Sequence, residues 1–534
     1  MTAQTLVAEN IRRPEMAKRR SFDDGRIQDA EDDEEPNKEK DGFFNRTQSR
    51  QTEQEIDPEF EYSIFQGRVR YVLILILSMV GFWSTVSSPI YFPALPTLTA
   101  YFHTTPSVMN LSVVAYLVFQ GIAPTVSSNL ADTFGRRPVI LASILIYVAA
   151  CIALSQTNVY WLLAVLRCIQ AAGIAPVIAI SSGVAGDVCT PATRGGFVGV
   201  VAGMQLVGNG LGGLFGAALI SGFNSWRAIF IFLAIGGGVT FMFSLFFLPE
   251  TSRSIVGNGT VVPKNLLNRS GLMYLPRMRK RLGDDIESLE RKSAYDFWSP
   301  FRIFFKLQVF LLLIPGGIQF AAWTMVLTSI SSVLEDEPFN YGVMHVGLIY
   351  LPQGLACLVG SMVAGKTLNA YYRYRKHNYH MKYDGVEFKP RFNIIKTRMD
   401  MCFIPAAMMV IGLVIFGWCL EYHQHISSII ISTMLISFSS SCFLAATTTM
   451  LVDLYPGRGS ASTSCLNLMR CLLAALGAGV LDKMISALNL GGCYTLLAGI
   501  CILSDCCLFY VLYKTSKKLK EESTLTTPIH SDTE

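Results

Sequence analysis

Apolar residues along this chain gather into twelve blocks: 71–92, 108–129, 139–155, 160–182, 197–219, 228–248, 307–330, 346–365, 401–420, 426–450, 461–481 and 492–513. Crossing a bilayer as a helix takes roughly 20 apolar residues, so each block is of spanning length. Only three formal charges fall inside them, Arg167, Arg470 and Asp505. A soluble helix keeps one face polar and wet; these keep none. The pattern predicts an all-α membrane protein with twelve transmembrane helices. A polar stretch at 249–306 divides the blocks six and six, with a short helix expected near 284–292. A second polar insertion, 366–399, separates the eighth and ninth blocks. The predicted organisation is a disordered cytosolic tail (1–70), a six-helix half (71–248), a cytosolic linker (249–306), a second six-helix half (307–513) and a cytosolic tail (514–534).

Charge fixes the orientation. With a cytosolic amino terminus and one crossing per block, 40 of the 44 Lys and Arg residues fall in the tails and cytosolic loops. Two more, Arg227 and Lys483, sit at outer helix ends. Basic residues beside a span hold its loop in the cytosol, so both termini are expected there. The loop after block seven carries Glu335, Asp336 and Glu337 and is expected outside. Residues 1–70 hold no apolar run of signal length, which leaves the first block to direct insertion. The 13 cysteines are scattered through the spans, with neither a disulfide framework nor metal spacing. No Gly-x-x-x-x-Gly-Lys-Ser/Thr sequence cradles a phosphate, which disfavours a primary pump. No span or loop gathers a nucleophile and base or a metal cluster, so an enzyme is disfavoured. No cofactor, metal or nucleic-acid partner is expected.

The two sets of six blocks echo each other. After the fourth block comes Asp187-Val-Cys-Thr-Pro191-Ala-Thr-Arg194-Gly195; after the tenth comes Asp453-Leu-Tyr-Pro456-Gly-Arg458-Gly459. The loop after the second block, Ser128-Asn-Leu-Ala-Asp132-Thr-Phe-Gly135-Arg136-Arg137, has a counterpart after the eighth, Gly365-Lys-Thr-Leu-Asn369-Ala-Tyr-Tyr-Arg373. Two echoes at matching positions imply duplication. Duplicated halves with a site between them near the midplane is the plan of secondary transporters.

These residues resemble the major facilitator superfamily, and within it the fungal twelve-span drug:proton antiporters such as the yeast quinidine-resistance and acid-resistance transporters. The likeness runs from about 65 to 515. Asp132, Gly135, Arg136 and Arg137 match the superfamily's loop pattern, with Ser128 and Thr133 departing from it. Arg167-Cys-Ile-Gln170-Ala-Ala-Gly173 and Gly208-Asn209-Gly210-Leu-Gly212-Gly213 match two further motifs, Asn209 standing where antiporters usually carry Pro. Leu248-Pro249-Glu250-Thr251 and Ser464-Cys-Leu-Asn467-Leu-Met-Arg470-Cys-Leu-Leu473 are more specific. The resemblance implies a monomeric plasma-membrane exporter that exchanges drugs or other small organic solutes for protons. The alternative within transport is a carrier of amino acids, short organic acids, polyamines or a metal cation such as potassium. A non-transporting sensor would favour a much longer carboxy-terminal tail.

Candidate residues follow. Gly135 permits a tight turn; Asp132 can face the positive end of a neighbouring helix; Arg136 or Arg137 can pair with Asp187 and latch the cytosolic side, unless the pair serves topology alone. Arg194, Asp453 and Arg458 are the latch candidates around it and in the second half. Arg167 is costly in lipid and must face the bundle interior; Gln170 shares its helix face. Coupling and a structural clamp both suit Arg167, as they do Arg470 with Asn467. Asp505 is the sole carboxylate within a span, either a coupling site or a helix-paired acid. Glycines of the fifth block let another helix approach closely. By the resemblance, helices 1, 4, 7 and 10 line the cavity, with Trp83, Ser87, Tyr91, Gln170, Gln319, Trp323 and Phe438 as candidates and Gln120, Gln205, Asn209 and Gln353 nearby. An aromatic wall with few charges suits amphipathic organic molecules.

Overall fold

Every apolar block lies on helix. The computed structural model describes residues 63–65, 67–189, 191–263, 265–274, 298–335, 337–383, 392–454 and 459–525. The tail 1–62, the expected linker helix 284–292, Asp336 and Arg458 lie outside the described residues, as does the side chain of Arg194. No strand occurs among the described residues.

The first block is α1 (Arg68–Val86), continued by a 3-10 turn (Pro89–Ala94) and α2 (Leu95–Tyr101). Prolines at 89, 93 and 96 explain the change of winding, since each removes an amide donor. Block two is α3 (Pro106–Phe134), capped by Thr105, whose hydroxyl accepts from Val108 N, with Pro106 preset at its first turn. Block three is α4 (Arg136–Gln156). Block four breaks into α5 (Tyr160–Ile174) and α6 (Pro176–Val188), with Pro176 at the joint. Blocks five and six are α7 (Pro191–Phe223) and α8 (Arg227–Phe247). The short α9 (Arg253–Val256) and α10 (Ser299–Phe304) lie within the polar stretch 249–306, near its two ends.

Block seven is α11 (Leu307–Glu335) and block eight is α12 (Val343–Lys382). The eighth helix thus runs on for 17 residues past its apolar block, through sequence expected to be a separate polar insertion. That segment has no Gly or Pro and is rich in Lys, Arg and Tyr, so nothing in it stops a helix already nucleated in the membrane. The short α13 (Ile394–Met399) leads into α14 (Phe403–Glu421), block nine, and α15 (Ile426–Leu454) is block ten. The last two blocks share α16 (Gly459–Leu525), which breaks at Asn489, a residue with φ of 59°. There the amides of Leu490 and Gly491 donate to the Glu421 carboxylate at 2.9 and 3.3 Å, so an acid from the end of α14 caps the final span. Among the described residues, ten helical stretches are long and apolar enough to cross a membrane, and the stretch Ala461–Lys517 is long enough to cross twice. Leu145, Ile152, Trp161 and Phe246 are among the large apolar side chains left exposed, as a lipid-facing surface requires.

Candidate transport and coupling site

Arg167 sits on α5 with only 1% of its surface exposed. Its guanidinium carbon lies 4.2 Å from the ring centroid of Tyr91 and 4.1 Å from that of Tyr116. Nη1 donates to Gln170 Oε1 at 2.7 Å and to the Ser87 carbonyl at 3.2 Å. Nε is buried with no partner. The shell continues outward: Ser87 Oγ meets Tyr147 OH at 2.7 Å, Tyr91 OH meets Ser112 Oγ at 2.8 Å, and Gln170 Nε2 donates to Cys151 Sγ at 3.2 Å. No carboxylate pairs with Arg167 among the described residues. Two ring faces and two carbonyl oxygens offset part of the desolvation of the charge, each ring contributing on the order of 2 kcal/mol when dry. The structure therefore joins Ser87, Tyr91, Arg167 and Gln170 in one cluster. Tyr116 and Tyr147 were not singled out from the sequence, where tyrosines in apolar helices look like packing.

The charges around the turn between α3 and α4 form a second cluster. Gly135 separates α3 from α4 with φ of 112°, open to glycine alone at little cost. A Cβ there would also run into the Glu250 carboxylate. That carboxylate accepts from the amides of Arg136 (2.8 Å), Arg137 (3.2 Å), Thr251 (3.0 Å) and Ser252 (2.9 Å). It caps the first turn of α4 from 114 residues away. Burial pushes the Glu250 carboxyl above the usual carboxylate range, and the four amide donors pull it back. The expected place of Asp132 at a helix N-terminus thus belongs to Glu250; Asp132 instead pairs with Arg136 one turn on. Arg136 also reaches Asp187 at 3.2 Å. Arg137 does not pair with Asp187: its Nε donates to the Leu248 carbonyl at 2.7 Å and its two terminal nitrogens to the carbonyls of Leu267 and Leu245. It ties α4 to the end of α8.

In the second half of the sequence, Asp453 pairs with Arg398, whose Nε and Nη2 both lie 2.8 Å from Oδ2. Arg398 also donates to the Leu368 carbonyl at 3.1 Å and stacks 4.4 Å from the Tyr372 ring centroid. Arg398 was not expected from sequence; the only signal was its place just before a span, as Arg136 stands before α4.

Two long seams join early helices to late ones. Along α3 and α16, Asn110 Nδ2 donates to Asp482 Oδ2 at 2.9 Å, Asn467 Nδ2 to the Gln120 carbonyl at 2.7 Å, and Ser464 Oγ to the Pro124 carbonyl at 3.3 Å. Arg470 donates to Asn467 Oδ1 at 2.9 Å and lies 4.8 Å from the Phe320 centroid. Along α7 and α12, Gly210 faces Gly354 so closely that a Cβ on Gly210 would lie 2.6 Å from Gly354 Cα. On another face of α7, Gly208, Gly212 and Gly216 meet Phe82, Pro89 and Ile90 of the first span. Missing side chains permit both approaches.

The remaining candidates divide. Trp83 and Trp323, expected on a cavity wall, anchor to neighbours: their ring N–H groups donate to Thr240 and Ser437, each at 2.9 Å, because a buried indole needs an acceptor. Gln205 lies against Gly81, Phe438 packs its backbone on Gly360, and Asn209 is half-buried. Gln353 is buried with its Oε1 unpartnered. Asp505 is buried and accepts from Gln319 Nε2 at 3.5 Å. A groove of about 570 Å³ between α3, α4, α5 and the turn Leu266–Asn268 is lined mostly by apolar side chains, with Ser127, Ser143, Asn265 and Asn268 among them, and by none of the candidates.

The sequence profile of the Major Facilitator Superfamily matches residues 72–377. The chain belongs to this superfamily. The facilitator is 66% identical over 477 residues to the MFS antiporter QDR2 of Candida albicans, covering 89% of this chain and 94% of that one. It is 63% identical over 476 residues to the MFS antiporter QDR1 of the same organism, with 89% and 94% covered. Among solved structures, the xylose transporter XylE of E. coli, in a partially occluded inward-open conformation, matches with a TM-score of 0.58 at 13% identity, over 83% of this chain and 97% of that one. That likeness speaks for the fold alone. The facilitator is a multi-pass membrane protein of a superfamily that carries small molecules.

Proposed function

We propose that this facilitator exports drugs and other small organic solutes across the plasma membrane in exchange for protons, as a monomer with both termini in the cytosol. Its two six-helix halves, 71–248 and 307–513, rock against each other along the α3–α16 and α7–α12 seams. The identity to the QDR2 antiporter across nearly the whole chain carries this reading. The glycine contacts between α7 and α12 support it, since side-chain-free surfaces can slide with little steric cost. The test is a labelled solute panel in proteoliposomes under an imposed pH gradient. Gradient-driven movement of an organic solute is expected; equilibration indifferent to pH would make the protein a facilitated-diffusion carrier.

A second reading, transport of small organic acids, has one observation behind it. Among the described residues Arg167 is a buried cation without an acidic partner, and its unpartnered Nε offers an anion a donor. Inclusion of carboxylates in the same panel separates the two readings.

A further inference from the structure

We infer that Asp505 carries the transported proton and that Gln319 is the partner that senses it, an inference that rests on the proton-coupled reading above. Asp505 is the only carboxyl within the twelve apolar blocks. It lies on the last span, turned inward at 8% exposure. Its hydrogen-bond partner is Gln319 Nε2 of α11, at 3.5 Å. Gln319 is fully buried, and its Oε1 has no partner at all. No basic side chain pairs with Asp505 among the described residues. Two thiols interact with it, Cys501 on its own helix and Cys402 on the turn before α14. From α11 comes the neutral amide of Gln319.

An amide and a carboxylic acid are complementary. When Asp505 is protonated, its O–H can donate to Gln319 Oε1 while the amide N–H donates back to the other carboxyl oxygen. Both groups are then satisfied, as buried polar groups must be. When Asp505 is ionised, a bare charge remains in a dry site, one hydrogen bond is left, and Gln319 Oε1 is orphaned. Protonation therefore changes both the charge of the site and the number of bonds that join the last span to α11. On the acidic side the carboxylate takes a proton from hydronium, leaving water; on the other side water takes the proton back and the α11 contact loosens. Such a two-state element, biased by the proton, is what coupling demands.

Asparagine at 505 keeps both hydrogen bonds as an amide pair and cannot release a proton. In proteoliposomes containing the solute that the wild type moves best, Asp505→Asn is expected to lose gradient-driven accumulation by roughly tenfold or more at equal reconstituted protein. Accumulation by Asp505→Asn at the wild-type rate would overturn the assignment. Wild-type transport that ignores the gradient would sink the proton-coupled reading instead, and the inference with it. Should Asp505→Asn fail to reach the membrane, Gln319→Glu decides: a second carboxyl sharing the site holds the proton to higher pH, moving the midpoint of transport up by about one unit. An unmoved midpoint counts against Asp505. In the wild type, the apolar carbodiimide DCCD, which attacks buried protonated carboxyls, is expected to label the Asp505 peptide less as pH rises; absence of label at every pH contradicts the proposal.

Discussion

The carboxylate of Glu250 offers the sharpest test of how the turn between α3 and α4 is built. It accepts four buried amides, two of them the first N–H groups of α4. In Glu250→Ala all four lose their acceptor. Hydrogen bonds to a charged group contribute about 1.5–3 kcal/mol each. Even if water rescues the two loop amides of Thr251 and Ser252, the amides of Arg136 and Arg137 stay dry, and the loss is about 3–6 kcal/mol. Glu250→Gln differs in kind. Oε1 holds three of the four bonds and survives, while the new amide nitrogen meets the Arg137 N–H donor to donor. One bond is lost, about 1.5–3 kcal/mol, partly offset because burial disfavours the charge that glutamine removes. Nine of the 13 cysteines are buried, so a thiol-reactive dye in detergent reports unfolding directly. The expected order of unfolding temperature is wild type, then Gln, then Ala. An alanine variant as stable as the wild type would refute the capping argument.

Other consequences can be measured with the same material. Arg398→Ala removes the Asp453 pair, the Leu368 carbonyl bond and the stack on Tyr372 together, whereas Asp453→Asn keeps the last two; the alanine variant is expected to lose roughly 3 kcal/mol or more by the same dye assay, and the Asn variant less. Arg167→Lys puts a point charge where a planar group stacks between two rings, so solute transport should fall about tenfold or more at unchanged surface level, read by efflux from intact cells. Gly354→Leu forces a side chain into the backbone of Gly210, and transport should stop while the protein still reaches the surface, scored by fluorescence of a fused reporter.

The membrane-spanning helices were legible because hydrocarbon length acts on local sequence. The break of block four was legible in principle through Pro176. The helical run of α12 to Lys382 was not, since helix propagation into water leaves no apolar trace. Glu250 stood in a quoted motif without a role, because the helix it caps begins 114 residues earlier. Arg398 hid behind the 366–399 insertion, and Arg373, the apparent echo of the first-half arginines, drew attention from it. Asp505 was visible as a charge, but its bond to Gln319 joins residues 186 apart, which no periodicity reveals.

The register of α3 against α16 also sets a ruler. Asn110 with Asp482 marks one end, the outer one in the proposed orientation, and Ser128 with Ser464, 3.5 Å apart, marks the other. A rigid lever held at both ends can open only one at a time. A cysteine staple across 110 and 482 would leave the protein able to gape only at the end of Ser128, and one across 128 and 464 only at the end of Asn110, so the two frozen forms could be prepared at will from a single scaffold.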